Sequence, residues 1–232
     1  MNYPEKSGDP LIFVCSDGAG SASHSQIGST LVCERFSQLA VDYLESNESS
    51  ENPLNLDEAK RWMQAINSDL AEKASELSIE LRQLACTLLG GIVLEKSAYF
   101  LQIGDGAIVV RHEDILAPVF WPQSGEYANT TNFLTDSESE ERLEFKTLGQ
   151  VLELAIFTDG LERLLLRFDI KSVHEPAVKP MLKYLSEATI EQLASMGDQL
   201  EQFLESPQIN TRTDDDKTLI LAIRTSSDAN VL

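Results

Sequence analysis

Basic residues are scarce in this 232-residue chain: 18 Lys and Arg stand against 38 Asp and Glu, a formal net charge of −20. Binding nucleic acid through its phosphates needs clustered Lys and Arg, so the balance excludes that class. It excludes attachment to anionic membrane surfaces for the same reason, and it suits divalent cations and basic partners. Cysteine is sparse too. Cys15, Cys33 and Cys86 match no zinc spacing and read as buried or idle thiols of a reducing compartment. The three histidines, His24, His112 and His174, are scattered without metal-ligand spacing. There is no GxxxxGK[ST] phosphate loop and no Ser-His-Asp or Cys-His constellation. No apolar run reaches the roughly 18 residues of a membrane span. The lead-in from Met1 to Asp9 is polar, holds Pro4 and shows no signal-peptide pattern. The expectation is a cytoplasmic protein.

What the chain does have is Asp-Gly turns at the ends of apolar runs. The stretch Leu11-Ile-Phe-Val-Cys-Ser-Asp-Gly-Ala-Gly20 reads as a buried strand ending in Asp17-Gly18. The strand fixes the carboxylate, and glycine lets the backbone approach so that a carbonyl can join as a ligand. The arrangement recurs at Gly104-Asp105-Gly106, at Thr158-Asp159-Gly160 and, as a triple, at Asp214-Asp215-Asp216.

Between these turns the pattern alternates in period. Helical spacing covers Ile27 to Leu44, and again runs from Asp57, a candidate cap, to about Leu84. Strands are expected at Cys86–Leu94 and Ser97–Ile103, joined by Glu95-Lys96, and at Ala107–Arg111. Residues 114–144 form an irregular excursion, a candidate flap. Leu152–Phe157 is another strand, and a helix follows through Leu161 and Phe168. Further helix is expected from Met181 to about Leu185, beyond Pro176 and Pro180, and from Ile190 to Leu204. Thr218–Arg224 is the last strand, followed by a frayed tail. Short strands with short turns imply antiparallel sheets rather than parallel winding. The hydrophobic content of 42% supports a sizeable core, and residues 1–232 are expected to form a single domain.

Four acidic turns at strand edges can converge only if their charges are neutralised, so a cluster implies bound cations or raised pKa values. Oxygen-only ligands favour Mg²⁺ or Mn²⁺ over Zn²⁺. Two such ions about 3.5–4 Å apart activate a water for in-line attack on phosphorus. No protein nucleophile is then required.

The four motifs Asp17-Gly18-Ala19-Gly20-Ser21, Gly104-Asp105-Gly106, Thr158-Asp159-Gly160 and Asp215-Asp216-Lys217-Thr218, in this order, resemble the metal-dependent Ser/Thr protein phosphatases of type 2C. The bacterial branch, with its DGAGS motif, is the nearest. Its excursion carries a stretch similar to Gly125-Glu-Tyr-Ala-Asn-Thr-Thr-Asn-Phe-Leu-Thr135. The resemblance covers roughly residues 10 to 224. It implies an α+β fold, a four-layer α-β-β-α sandwich with two central antiparallel sheets, and a dinuclear Mn²⁺ or Mg²⁺ centre. Asp17 would bridge both metals, the Gly18 carbonyl would bind one, and Asp159 and Asp215 would hold the other. Asp105 matches a position that helps bind a third, weaker metal. Asp17, Asp159 and Asp215 are thus the expected catalytic residues. The substrate would be a phosphoserine or phosphothreonine protein, in bacterial signalling opposite a Ser/Thr kinase. The alternative is a phosphatase-like regulatory module that binds phosphoproteins with weak or no catalysis.

Three positions depart from the family pattern. The family often has a ligating acid and a phosphate-gripping Arg on a strand upstream of the first motif; here Glu5 and Asp9 are the available acids, in no recognisable motif. Ala19 stands where many members have a His. Arg163, beside Glu162, stands where an acid often follows the third motif.

Overall fold

Apolar residues spaced by two give way to spacings of three and four along this chain, and the elements change with them. The computed structural model describes residues 10–46, 54–123 and 131–225. In it β1 (Leu11–Cys15) is followed by α1 (Ser25–Ser46) and α2 (Leu56–Leu77). Next come β2 (Leu88–Val93), β3 (Ala98–Ile103), β4 (Ala107–His112), β5 (Ile115–Pro118), the one-turn α3 (Ser139–Arg142), β6 (Glu144–Leu148) and β7 (Glu153–Phe157). The remainder is α4 (Glu162–Leu165), a small hairpin of β8 (Leu166–Arg167) and β9 (Ser172–Val173), α5 (Glu175–Ser186), α6 (Ile190–Leu204), α7 (Pro207–Asn210) and β10 (Leu219–Ile223). The polar lead-in, the loop before Leu54, the Gly125–Thr130 part of the family-like stretch and the tail lie outside the described residues. Among the described residues no helix is long and apolar enough to cross a membrane.

The main strands make two four-stranded antiparallel sheets, ordered β1-β2-β3-β6 and β10-β7-β4-β5. The α+β class with two antiparallel sheets and flanking helices is as the sequence implies. The chain divides into two compact units, Met1–Asp105 with Pro122–Gln150, and Gly106–Trp121 with Val151–Leu232.

In the first unit α2 buries Ala59, Trp62, Met63, Ile66, Leu70 and Ala74, one stripe at helical spacing. With Val32, Phe36 and Ala40 of α1 they pack on Ile12, Leu88, Ile92 and Leu101 of the sheet. The rings of Phe36 and Tyr43 meet Trp62 edge-on, with centroids 5.6 and 5.8 Å away. Phe36 is wholly buried. Truncating it leaves a cavity no neighbour can fill without moving the sheet. Phe36→Ala is expected to lose about 3–5 kcal/mol and to lower the thermal midpoint by roughly 10 °C, read by near-ultraviolet circular dichroism on heating.

Three boundaries differ from the sequence reading. The cap of α2 is Asn55, whose side-chain oxygen accepts from the Glu58 N–H at 3.0 Å; Asp57 lies in the first turn instead. The helix stops at Leu77 because Ser78 turns left-handed, and Leu81–Leu84 is a separate 3₁₀ turn. The strand β6 was not evident, since its Glu-Phe-Lys-Thr-Leu shows little alternation; it pairs only with β3, at a sheet edge.

The second unit buries Ala107, Val109, Ala155, Phe157, Leu161, Leu165, Val178, Leu182 and Leu219 together. The helix expected through Phe168 is a single turn, Glu162–Leu165. Phe168 leaves it and packs edge-on against Trp121 at 5.2 Å. Conversely α5 begins at Glu175, ahead of Met181, and contains both prolines. Pro176 sits in its first turn, where no N–H bond is lost, and Pro180 is tolerated inside at the loss of one bond.

Candidate metal centre

Main-chain groups take part in fixing each acidic turn. After β1 the chain stays beside the segment leading into β2, with Gly18 bridged to Cys86. The Thr87 N–H donates to the Asp17 carbonyl at 2.8 Å. The Asp17 N–H donates to Thr87 Oγ1 at 2.9 Å. The Ser16 hydroxyl donates to the Thr87 carbonyl at 2.6 Å, and the Ala19 N–H to the Ala85 carbonyl at 2.9 Å. Thr87 is 2% exposed, so this clamp is shielded from water.

Asp105 sits between Gly104 and Gly106, whose φ values of 100° and 82° favour glycine. The chain passes here from the first sheet to the second, so this turn closes no hairpin. Gln123 grips it: the Gly104 N–H donates to Gln123 Oε1 at 2.9 Å, and the Gln123 N–H donates back to the Gly104 carbonyl at 3.3 Å. Thr131 Oγ1 donates to the Asp105 carboxylate. A Cβ on Gly104 would stand 2.6 Å from Thr87 Cγ2. Thr87 therefore touches both the Asp17 clamp and the Asp105 turn.

Gln123 also donates to the Arg142 carbonyl at 2.8 Å and to Glu144 at 3.1 Å, and accepts from Asn132 at 3.2 Å. Burial pushes the Glu144 carboxyl above its ordinary range, and the Gln123 hydrogen bond partly offsets this. The described ends of the excursion are thus stitched to the Asp105 turn.

In the second unit β7 delivers Thr158, buried, against the entry to β10. Its N–H donates to the Thr218 carbonyl at 3.3 Å, and its Oγ1 accepts from the Thr218 N–H at 3.1 Å. Asp159 follows and opens a 3₁₀ turn, Asp159–Leu161. A Cβ on Gly160 would lie 2.2 Å from the Asp216 carbonyl oxygen and 3.3 Å from Asp215 Cβ. Only glycine allows this approach, which packs the Asp159-Gly160 turn against Asp215-Asp216. Asp215 is exposed; its carboxylate accepts from the Asp216 N–H at 2.9 Å, and its own N–H donates to Thr213 at 3.3 Å. Glu162 accepts from the Gly106 N–H at 2.7 Å, which ties the start of β4 to the Asp159 turn. Arg163 points into solvent-exposed surface.

The structure thus brings Asp17, Gly18 and Asp105 around Thr87, and Asp159 and Asp215 around Gly160. Among the described residues, no three His, Cys, Asp or Glu side chains gather closely enough to hold a metal ion. The donors are carboxylates and one carbonyl, the chemistry of a hard divalent cation, so they fit Mg²⁺ or Mn²⁺. Thiolate competes poorly: burial pushes the Cys86 thiol up to about 12 and Cys33 up to about 11. At pH 8 only about one thiol in a thousand at Cys33 is ionised. Native protein is expected to resist alkylation there, and urea-unfolded protein to react readily, as counted by mass spectrometry.

Sequence reasoning missed Thr87 and Gln123, and carried Thr218 only as the last residue of the fourth motif. For the two threonines the signal was a polar residue at the mouth of a strand, which reads as an ordinary strand end until its partner is known; Gln123 lies in the irregular excursion and gave none. The clamp itself can be tested. Thr87→Val keeps the shape but removes the acceptor of the Asp17 N–H, and is expected to lose about 1–3 kcal/mol. Thr87→Ser should restore most of that in a denaturant titration.

Comparison with known proteins bears on these motifs. The family model described as protein phosphatase 2C matches residues 2–205, a stretch that holds Asp17, Asp105 and Asp159 and ends before Asp215. Serine/threonine-protein phosphatase 3 of Escherichia coli (strain K12) is 39% identical over 217 residues, which cover 92% of this chain and 84% of that protein. The crystal structure of a bacterial serine phosphatase superposes with a TM-score of 0.60 at 21% identity, covering 94% of this chain and 88% of that one. The catalytic domain of the serine threonine protein phosphatase PstP, in complex with two manganese ions, has a TM-score of 0.58 at 13% identity over 95% of this chain and 93% of that domain. These two likenesses establish the fold.

Proposed function

Because this chain belongs to the protein phosphatase 2C family, we propose that it hydrolyses phosphoserine and phosphothreonine in proteins with Mn²⁺ or Mg²⁺ as cofactor. Asp17 and the Gly18 carbonyl are its proposed metal ligands in the first unit, and Asp159 and Asp215 those in the second. Asp105 would serve a weaker third ion. The observation that carries this reading is the contact of Gly160 with Asp215 and Asp216, which pairs two motifs some 55 residues apart in the sequence.

Bound there, divalent ions would supply a water acidic enough to ionise near neutral pH and positive charge for the phosphoryl oxygens. The chain's own part is to hold the carboxylates still. Thr87 fixes the backbone of Asp17 by two hydrogen bonds, and Thr158 fixes the Asp159 turn to Thr218 by two more. Preset ligands need no reorganisation when charge develops on phosphorus. The phosphoprotein substrate would supply the phosphate ester, and no side chain is needed as nucleophile.

The test is hydrolysis of a small aryl phosphate and of a phosphothreonine peptide, with Mn²⁺, with Mg²⁺ and with a chelator. Turnover that needs metal and is lost in Asp159→Asn is the expected result. Stoichiometric Mn²⁺ binding by folded protein with no turnover would instead make the chain a phosphoprotein-binding module of the same fold.

A further inference from the structure

Helix α6 lies far along the chain from the acidic turns in the first unit, and its packing is incomplete. Its apolar residues Leu193, Leu200 and Leu204 recur at i, i+7 and i+11, one continuous stripe. Leu204 is buried in the second unit's core and Leu200 packs against it. The same stripe is bare two turns and more before Leu200, where Leu193 is 47% exposed and Ile190 78% exposed. Tyr184 of α5, also exposed, reaches the helix just past its middle through its hydroxyl, which donates to Gln199 at 3.0 Å.

Gly197 stands in the middle of the stripe, four residues after Leu193 and three before Leu200. A glycine there weakens the helix relative to alanine. No heavy atom lies within 4 Å of where its Cβ would be, so the protein's own packing does not call for it. A glycine facing open space on an apolar helix face allows another backbone to come close.

The charge beside the stripe has one sign. Between Lys183 and Arg212 there is no Lys or Arg, while Glu187, Glu191, Asp198, Glu201 and Glu205 all lie in that interval. A second copy of this chain would bring acid against acid, and an anionic lipid surface would be repelled. The surface is complementary to an apolar face edged with positive charge.

We propose that the amino-terminal half of α6 is a docking surface for a basic amphipathic helix of a partner protein. Leu193 and Ile190 supply the apolar anchors, Gly197 the close approach, and Glu191 and Asp198 the acidic edge.

The test uses the full chain and a synthetic peptide of about 18 residues, patterned as an amphipathic helix of Leu and Lys. Its counterpart with Glu for Lys is the control. The Lys peptide is expected to bind saturably, to perturb backbone amides of residues 189–200, and to bind at least tenfold more weakly to Leu193→Ser and to Ile190→Ser. Both positions are exposed, so the variants keep the fold, and melting curves confirm it. Raising the salt should weaken binding. Equal binding of the Glu peptide, amide changes elsewhere, or unchanged affinity in both variants would overturn the proposal. So would self-association of the chain in sedimentation that disappears in Leu193→Ser, which would make a second copy the occupant. Failure of hydrolysis in the assays above leaves this test unaffected, since no α6 residue belongs to the metal centre.

Discussion

Asp17→Asn is expected to remove metal-dependent hydrolysis by well over the 10- to 100-fold typical of a change behind a metal ligand, while the protein stays folded. The reason lies in how Asp17 is held. Its N–H goes to Thr87 Oγ1 and its carbonyl accepts from the Thr87 N–H, and these two bonds use the Asp17 main chain and survive the substitution. Asparagine keeps the shape and loses the charge that a divalent cation requires. Removing one carboxylate from an acidic site costs nothing in the absence of metal, and the metal-free melting temperature is expected to hold or rise. A bound ion stabilises the fold by mass action, about 2.7 kcal/mol at a hundred times its Kd. Wild-type protein should therefore melt higher in Mn²⁺ than in chelator, and Asp17→Asn should show little of that difference. Full Mn²⁺-dependent turnover by Asp17→Asn would remove Asp17 from the centre.

Much of this architecture was legible because the local and global signals agree. The stripe of α2 predicts a helix, and the same residues form the buried layer on the first sheet. Leu11–Val14, Leu152–Phe157 and Thr218–Arg224 read as strands because mainly apolar runs next to acidic turns leave few other options. The motif order also carried the family, since four short acidic turns in sequence are far more specific than any one.

The misses have physical causes. Asn55 and Asp57 are both competent caps, and only the backbone at Asn55, extended at φ −129° and ψ 173°, decides between them. Pro180 suggested a helix start, yet a proline inside α5 loses only one N–H bond while Val178 and Leu182 gain full burial. At the site, the acidic residues were visible but their holders were not. Thr87 is an unremarkable strand-end threonine in the sequence, and Thr218 only closes the fourth motif. Their importance arises from pairing across roughly 60 to 70 residues of chain, which periodicity does not report. Gly104-Asp105-Gly106 is a short turn between two strands, the pattern that implies antiparallel neighbours, but the flanking strands belong to different sheets.

Gly160→Ala should reduce turnover by about 100-fold or more, the scale of a 1 Å misplacement of catalytic groups. The new Cβ would sit 2.2 Å from the Asp216 carbonyl oxygen, a backbone atom, so rotating a side chain cannot relieve the clash. One of the two segments must move. Both are anchored a residue or two away by the paired Thr158 and Thr218 bonds, at 3.1 and 3.3 Å, which keep β7 and β10 in register. The displacement therefore falls on Asp159 and on Asp215, the two carboxylates proposed to share an ion. Far-ultraviolet circular dichroism should remain that of the wild type, while the Mn²⁺-dependent rise in melting temperature shrinks. Gly20→Ala is the control from the first motif: nothing lies within 4 Å of its Cβ position, and it should be close to neutral. A fully active Gly160→Ala alongside a neutral Gly20→Ala would mean that Asp215 does not act with Asp159, and that the fourth motif serves only to lead into β10.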